Sequence, residues 1–234
     1  CGRGPARLAE ADAAGETVFL MNPIRTRVLD TVSFDGQANG VALGRVPDGA
    51  PEFAPLTDRS PGSANGPMRA SAVVINEILY EPISGQADDE FIELHNPGSS
   101  PVDVSGWRFT SGIDFTVPAG TTIPSGGFLV VARNRTNLLA RYSGTLTTAN
   151  TVGDYSGSLA NGGERLALSQ PELILSTNET SQITTNIGWV IVDEVTYDDG
   201  GRWGAWSAGG GSSLELIDPR ADRRRAPNWA DSDE

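Results

Sequence analysis

The only histidine in the chain, His95, stands two residues after Glu93 in the run Phe91-Ile92-Glu93-Leu94-His95. On an extended strand that spacing places an imidazole and a carboxylate on one face, the geometry of a general base with an orienting partner. A solvent-facing pair on a sheet is the commoner meaning of the same pattern. No Gly-x-Ser-x-Gly elbow and no His- or Cys-rich spacing accompanies it, so the usual hydrolase and transition-metal arrangements are missing. No catalytic residue is expected. A second class of candidates is acidic: Asp88-Asp89-Glu90, Asp198-Asp199, and Asp231 with Asp233 and Glu234. Calcium takes several oxygen ligands, and loop carboxylates at one end of a sheet could supply them. The Asp-x-Asp-x-Asp-Gly spacing is absent, which favours a solvated acidic surface; Asp88, Asp89, Asp198 and Asp199 are the weak calcium positions, and no cofactor is otherwise expected. Finally, Gly200-Gly201-Arg202-Trp203-Gly204-Ala205-Trp206 sets two indoles and a guanidinium in a glycine-rich loop. Such a composition suits contact with sugar or protein. The alternative is that Trp203 and Trp206 close the bottom of the core.

The elements that must carry these groups are strands. Val74 to Tyr80, Phe91 to His95, Trp107 to Thr110 and Phe128 to Ala132 are short aliphatic or aromatic runs bounded by Pro, Gly, Ser or Asn-Pro. That punctuation marks an antiparallel sheet. Period two makes Ile92 and Leu94 core residues, with Phe91, Glu93 and His95 on the opposite face. Ile75 and Ile78 lie three apart, so a bulge or a change of sheet is expected between them. Trp107 and Phe109 share a face. Asn137 to Tyr142 has helical spacing and should cap one end of the sandwich. Gln170 to Trp189 is polar and reads as an inserted hairpin or loop.

Several of these blocks, in order, resemble the lamin-tail domain. They are Ile75-Asn76-Glu77-Ile78, Glu90-Phe91-Ile92-Glu93-Leu94-His95-Asn96, Val102-Asp103-Val104-Ser105-Gly106-Trp107, Phe115 to Pro124, Gly127 to Ala132 and Val192 to Tyr197. Ordered agreement at many blocks is more specific than any one motif. The resemblance implies an all-β, immunoglobulin-like β-sandwich in which Trp107 is the buried indole. It also implies a setting, because similar modules sit in large extracellular bacterial proteins beside enzymatic or adhesive domains. The role so implied is non-catalytic spacing, anchoring or binding of protein or carbohydrate at the cell surface. Two alternatives are an accessory fragment of an extracellular hydrolase or nuclease, and a calcium-dependent adhesion module.

An internal repeat sets the domain plan. Gly163-Glu164-Arg165-Leu166-Ala167-Leu168 corresponds to Gly15 through Leu20, and Val192 to Asp198 corresponds to Leu29 through Asp35. Residues 1–66 then contain the C-terminal part of a first lamin-tail-like repeat, 70–218 a nearly whole copy, 67–69 the end of a linker that begins at Arg59, and 219–234 a linker or tail. A half-sandwich cannot bury both faces of its sheet, so the first segment should expose apolar surface, dock on the second copy, or be incompletely ordered in isolation. Asp30 and Asp193 hold equivalent places on an inward face, where a carboxylate needs partners; each is expected to accept backbone N–H groups, and Glu77 likewise.

Charge narrows the partners. Thirty acidic residues against 17 basic ones, all arginine, give a net charge of -13. Lamin tails of the animal nucleus are associated with chromatin, yet this balance argues against nucleic acid. No run is long enough for a membrane helix. Cys1 followed by Gly2 would suit the processed end of a bacterial lipoprotein, but a start within a longer protein is the preferred reading.

Overall fold

The computed structural model describes residues 15–177 and 182–233. The expectations for Cys1 and for Glu234 therefore lie outside the described residues. Contacts divide the chain into two units. One joins residues up to Arg69 with Pro171–Val190, and the other joins Ala70–Gln170 with residues from Ile191 onward.

The strands are β1 (Gly15–Met21), β2 (Val28–Asp35), β3 (Leu43–Arg45), β4 (Phe53–Pro55), β5 (Val74–Leu79), β6 (Phe91–His95), β7 (Val102–Asp103), β8 (Arg108–Ser111), β9 (Thr122–Ile123), β10 (Phe128–Ala132), β11 (Thr151–Gly153), β12 (Glu164–Thr177), β13 (Ile183–Tyr197), β14 (Leu214–Leu216) and β15 (Trp229–Asp231). In the second unit a six-stranded sheet runs β11-β10-β6-β5-β14-β15. Its register sets Ile78 opposite Ile92, Ile75 opposite Leu94, and Leu94 opposite Leu129. The pairing of β5 with β6 slips between Ile75 and Glu77. That irregularity lets Ile75 and Ile78, three apart, both turn inward and lose all exposure. A three-stranded sheet, β13-β12-β8, faces it. Leu166, Leu168, Val195 and Tyr197 from that sheet join Ile75, Ile92, Leu94 and Val131 in one core with Trp107 and Phe109. Two sheets closed over a shared apolar interior are the immunoglobulin-like β-sandwich; each fully buried Leu or Ile contributes about 1.5–3 kcal/mol.

On the outer side of β10, Leu138 of α1 (Arg135–Arg141) packs with Val130 and Ala132. Asn134 caps that helix by accepting from the Asn137 N–H at 3.0 Å. The helix thus covers the back of the six-stranded sheet. Of the hairpin or loop expected over Gln170 to Trp189, the described residues form the hairpin: they are the distal parts of the paired strands β12 and β13.

Two expected linkers are part of the fold. Leu56 bridges Met68, the Thr57 N–H donates to the Pro67 carbonyl, and the Arg69 N–H donates to Pro55, so residues 59–67 form a closed loop whose ends are tied together. The stretch after Ile217 contributes β15, the last strand of the large sheet, and buries Trp229 in the core. Its charge and turn residues suggested a linker, but charge there is neutralised within the fold: the Arg223 guanidinium is buried against Asp193.

In the first unit β1 pairs with β2 and β3 with β4, each in a two-stranded sheet. Val18, Phe19, Leu20, Val28 and Leu29 are exposed. Gly15 has a positive φ, and a Cβ there would stand 2.7 Å from the Phe34 carbonyl oxygen and 3.0 Å from Asp35 Cα. Gly163 also has a positive φ, and a Cβ on it would meet the Tyr197 carbonyl oxygen, with Asp198 Cα at 2.7 Å.

Candidate functional site

Of the acidic candidates, Asp88, Asp89, Glu90 and Asp198 are held by donors of the chain itself, while Asp199 is exposed. Asp89, buried in a one-turn 3-10 helix before β6, accepts from Ser84 Oγ at 2.5 Å, from Asn137 Nδ2 at 2.7 Å and from Arg141. Asp88 accepts from Asn134 Nδ2 at 3.1 Å, with Arg133 at 4.0 Å. These donors tie α1 to the loop that enters β6. Asp198 accepts from the Gly200 N–H at 3.0 Å and so shapes the turn after β13. No group of three or more His, Cys, Asp or Glu is placed to hold a metal among the described residues. Glu90 lies deeper and accepts from the Tyr155 hydroxyl at 3.0 Å, Ser158 Oγ at 2.8 Å and the Leu159 N–H at 2.9 Å. Burial raises the Tyr155 phenol above its ordinary range, and the Glu90 charge beside it adds to that rise.

His95 and Glu93 are half-buried and engaged separately. The ring nitrogen Nδ1 of His95 lies 3.1 Å from the Gly127 carbonyl, and the ring stacks on Phe128 at 4.4 Å. Glu93 accepts from Asn76 Nδ2 at 2.9 Å, and burial holds its carboxyl above the usual range. The expected solvent-facing pair is therefore two separate structural contacts. Register also sets Glu215 opposite Glu77 and Glu77 opposite Glu93, a row of three carboxylates across the sheet. The sequence hides this row because unbroken pairing from Ile75 and Leu94 would set Asn76 opposite Glu93, and only the slip at Asn76 brings Glu77 there. Glu77 accepts from Ser213 Oγ at 2.6 Å.

Asp193 does accept a backbone donor, the Ile75 N–H, at 2.7 Å. Arg223 donates to its other oxygen, to Ser71 Oγ at 2.8 Å and to the carbonyls of Pro219 and Ala221. The Trp229 indole N–H donates to the Arg223 carbonyl at 2.8 Å. Desolvation pushes Asp193 up to about 6, against the lowering by Arg223 and the Ile75 N–H. Asp30, its counterpart in the first unit, is exposed; it accepts the Thr31 N–H at 2.9 Å and pairs with Arg45 at 2.9 Å. The equivalent inward place is thus buried only where a second sheet covers it.

The loop between β13 and β14 separates its two indoles. Trp203 is partly buried against the core, its ring 6.3 Å from that of Trp229. Trp206 is 66% exposed. Its backbone is nevertheless fixed: the Asp231 carboxylate accepts the N–H of Trp206 at 3.1 Å and of Ser207 at 2.8 Å. Ser207 Oγ donates to the Gly204 carbonyl at 3.0 Å and lies 3.4 Å from the Tyr80 hydroxyl. The Gly210 N–H closes the turn onto the Trp206 carbonyl at 2.8 Å. Gly204 and Gly210 are required here, since a Cβ on either would collide with Asp231 or with Trp206. Ile83, also exposed, lies beside Gly211, where a Cβ would meet its Cδ1 at 3.5 Å. Arg202 is exposed at the loop's tip. The result is an apolar platform of two exposed side chains, Trp206 beside Gly210 and Ile83 beside Gly211. Ile83 was not singled out from the sequence, being more than a hundred residues from the loop it joins.

Comparison with known families matches the Lamin Tail Domain to residues 67–199, more than half of the chain. The chain belongs to the lamin tail domain family. Neither a curated protein nor a solved structure matches it. In this lamin tail domain the matched stretch covers β5 through β13, while Trp206, Arg223 and Trp229 lie beyond it. No helix among the described residues is long and apolar enough to cross a membrane.

Proposed function

We propose that this lamin tail domain is a non-catalytic binding and spacing module of a larger secreted or cell-surface bacterial protein, carried behind the closing part of a preceding copy. Its contact surface for protein or carbohydrate is the platform of Trp206 and Ile83 with Arg202 at the edge. The observation that carries this reading is Trp206, whose indole stands in solvent while Asp231 anchors its backbone. An exposed aromatic on a fixed backbone loses little conformational freedom when a ligand stacks on it. The commitment of Asp89, Glu90, Glu93, His95 and Asp193 to the fold's own donors favours a binding role over acid-base chemistry. Family membership supports the same class.

The test is a glycan and protein-ligand screen on the parent chain and on Trp206→Ala. Because the side chain is mostly exposed, the substitution should change stability by no more than about 0.5 kcal/mol while removing binding. Retained binding by a folded Trp206→Ala protein would take this loop out of the site. Titrating calcium during thermal melts addresses the carboxylate alternative, and no shift is expected because Asp89 is already held by Arg141, Asn137 and Ser84.

A further inference from the structure

The hairpin of β1 and β2 has the side chains of a core and the exposure of a surface. Aligning Gly15 with Gly163 sets Val18, Leu20, Val32 and Phe34 against Leu166, Leu168, Val195 and Tyr197. Two of the four residue types are identical, and the other two differ by one methylene or one hydroxyl. Leu166 and Leu168 have no exposure in the sandwich, whereas their counterparts Val18 and Leu20 are 47% and 60% exposed; Val32 and Phe34 are half-buried. The glycine that opens each hairpin is pressed against the same two places of its partner strand, Phe34 with Asp35 in one case and Tyr197 with Asp198 in the other. The strand edge tells the same story independently. β12 pairs along Ala167 to Ser169 with β8, but β1, whose Phe19 to Met21 are equivalent, pairs among the described residues with β2 and no third strand.

We infer that the β1–β2 hairpin is a docking surface for a lamin-tail-type sheet. That partner would lay an aliphatic face like that of β5, β6 and β10 over Val18, Leu20, Val32 and Phe34, and would add a β8-like strand along Phe19 to Met21. The occupant is a segment of lamin-tail sequence. A second copy of the hairpin fits less well, because the sandwich packs this face on a different sheet and not on its own kind. The inference rests on the tandem reading above. Exposed apolar side chains grouped on one strand, as Val18 and Leu20 are, form an association surface by their physics, since apolar patches are rare on isolated soluble domains.

The test uses the full chain and an extended chain in which a duplicate of residues 70–162 precedes Gly15, so that the hairpin follows it as Gly163 follows in the sandwich. Amide hydrogen exchange in β1 and β2 should slow at least about tenfold in the extended chain, with loss of dye binding to exposed apolar surface. Introducing Leu20→Asp into the extended chain should abolish both effects. In the parent chain Leu20→Asp should leave the thermal melt unchanged, while Leu166→Asp unfolds the sandwich. If Leu20→Asp already lowers the parent's melting temperature, the face is covered within the chain and the inference is overturned. A parent that sediments as a dimer sensitive to Leu20→Asp would overturn it in favour of self-pairing. The double variant Leu166→Val with Tyr197→Phe gives the sandwich the hairpin's own face; it should fold with a melting temperature lowered by no more than about 10 °C. Its failure to fold would sink the tandem reading, whereas its folding alongside an unprotected hairpin in the extended chain would sink the docking alone.

Discussion

At the level of single residues, the most informative group is Asp193. Its folded value of about 6 stands above the ordinary 3.8, so between those values the folded chain keeps a proton that the unfolded chain has released. The group's contribution to stability is fully present below 3.8 and is lost as pH rises through about 6. Arg223 offsets that loss by donating to the ionised carboxylate in a site where both side chains are buried. Arg223→Ala should therefore cost about 3–5 kcal/mol near pH 7, where it strands a buried charge. Near pH 5 Asp193 holds its proton, and the same substitution should cost clearly less. Urea unfolding at the two pH values checks this, and equal penalties would mean that Arg223 acts through packing instead. The sequence placed Asp193 correctly as an inward carboxylate needing a backbone donor. It did not reveal Arg223, because an arginine in the run Arg223-Arg224-Arg225 looks solvated until a strand on either side fixes its depth.

Among the elements, β5, β6, β10 and the inner positions of β12 and β13 were legible because period two and the turn residues agree with burial. The bulge at Asn76 was legible for the same reason, since only a slip reconciles Ile75 with Ile78. What alternation could not show was β15. Three residues, Trp229 to Asp231, are too few to display a period, and their flanking arginines and aspartates mimic a linker. Their position is a tertiary fact, set by pairing with β14 and by the indole of Trp229 entering the core. Trp229→Ala should accordingly lower stability by about 3–5 kcal/mol, the cost of a large cavity, where a true linker residue would cost nothing measurable. The same strand supplies Asp231, which fixes the backbone of Trp206. Hence the platform was only half readable: its aromatic and its glycines stand in one loop, but the carboxylate that holds them and the isoleucine that extends them come from distant elements. Asp231→Ala should leave the indole in place yet free the loop, with faster exchange of the Trp206 and Ser207 amides as the readout.

On the scale of the whole molecule, electrostatics limits what any of these surfaces can meet. A net charge of -13 on 234 residues repels polyanions, and the arginines of greatest structural note are spent internally, Arg223 on Asp193, Arg141 on Asp89 and Arg45 on Asp30. An arginine already paired to a carboxylate has no charge to offer a phosphate without breaking that pair. On this charge balance, membership of the lamin tail domain family is not expected to bring a nucleic-acid partner with it here. The expected outcome in an electrophoretic assay at about 50 mM salt is unretarded duplex DNA, conditions that exaggerate any basic patch. Retardation that weakens steeply with salt would show a clustered cationic surface and would contradict the argument. The same excess of negative charge makes the compact state repel itself, so raising salt from about 50 to 500 mM should raise the melting temperature. That shift should survive in Trp206→Ala, because it belongs to the summed field of the chain and not to the loop; if it vanished there, the platform would have to be carrying the ion dependence, and with it a charged ligand.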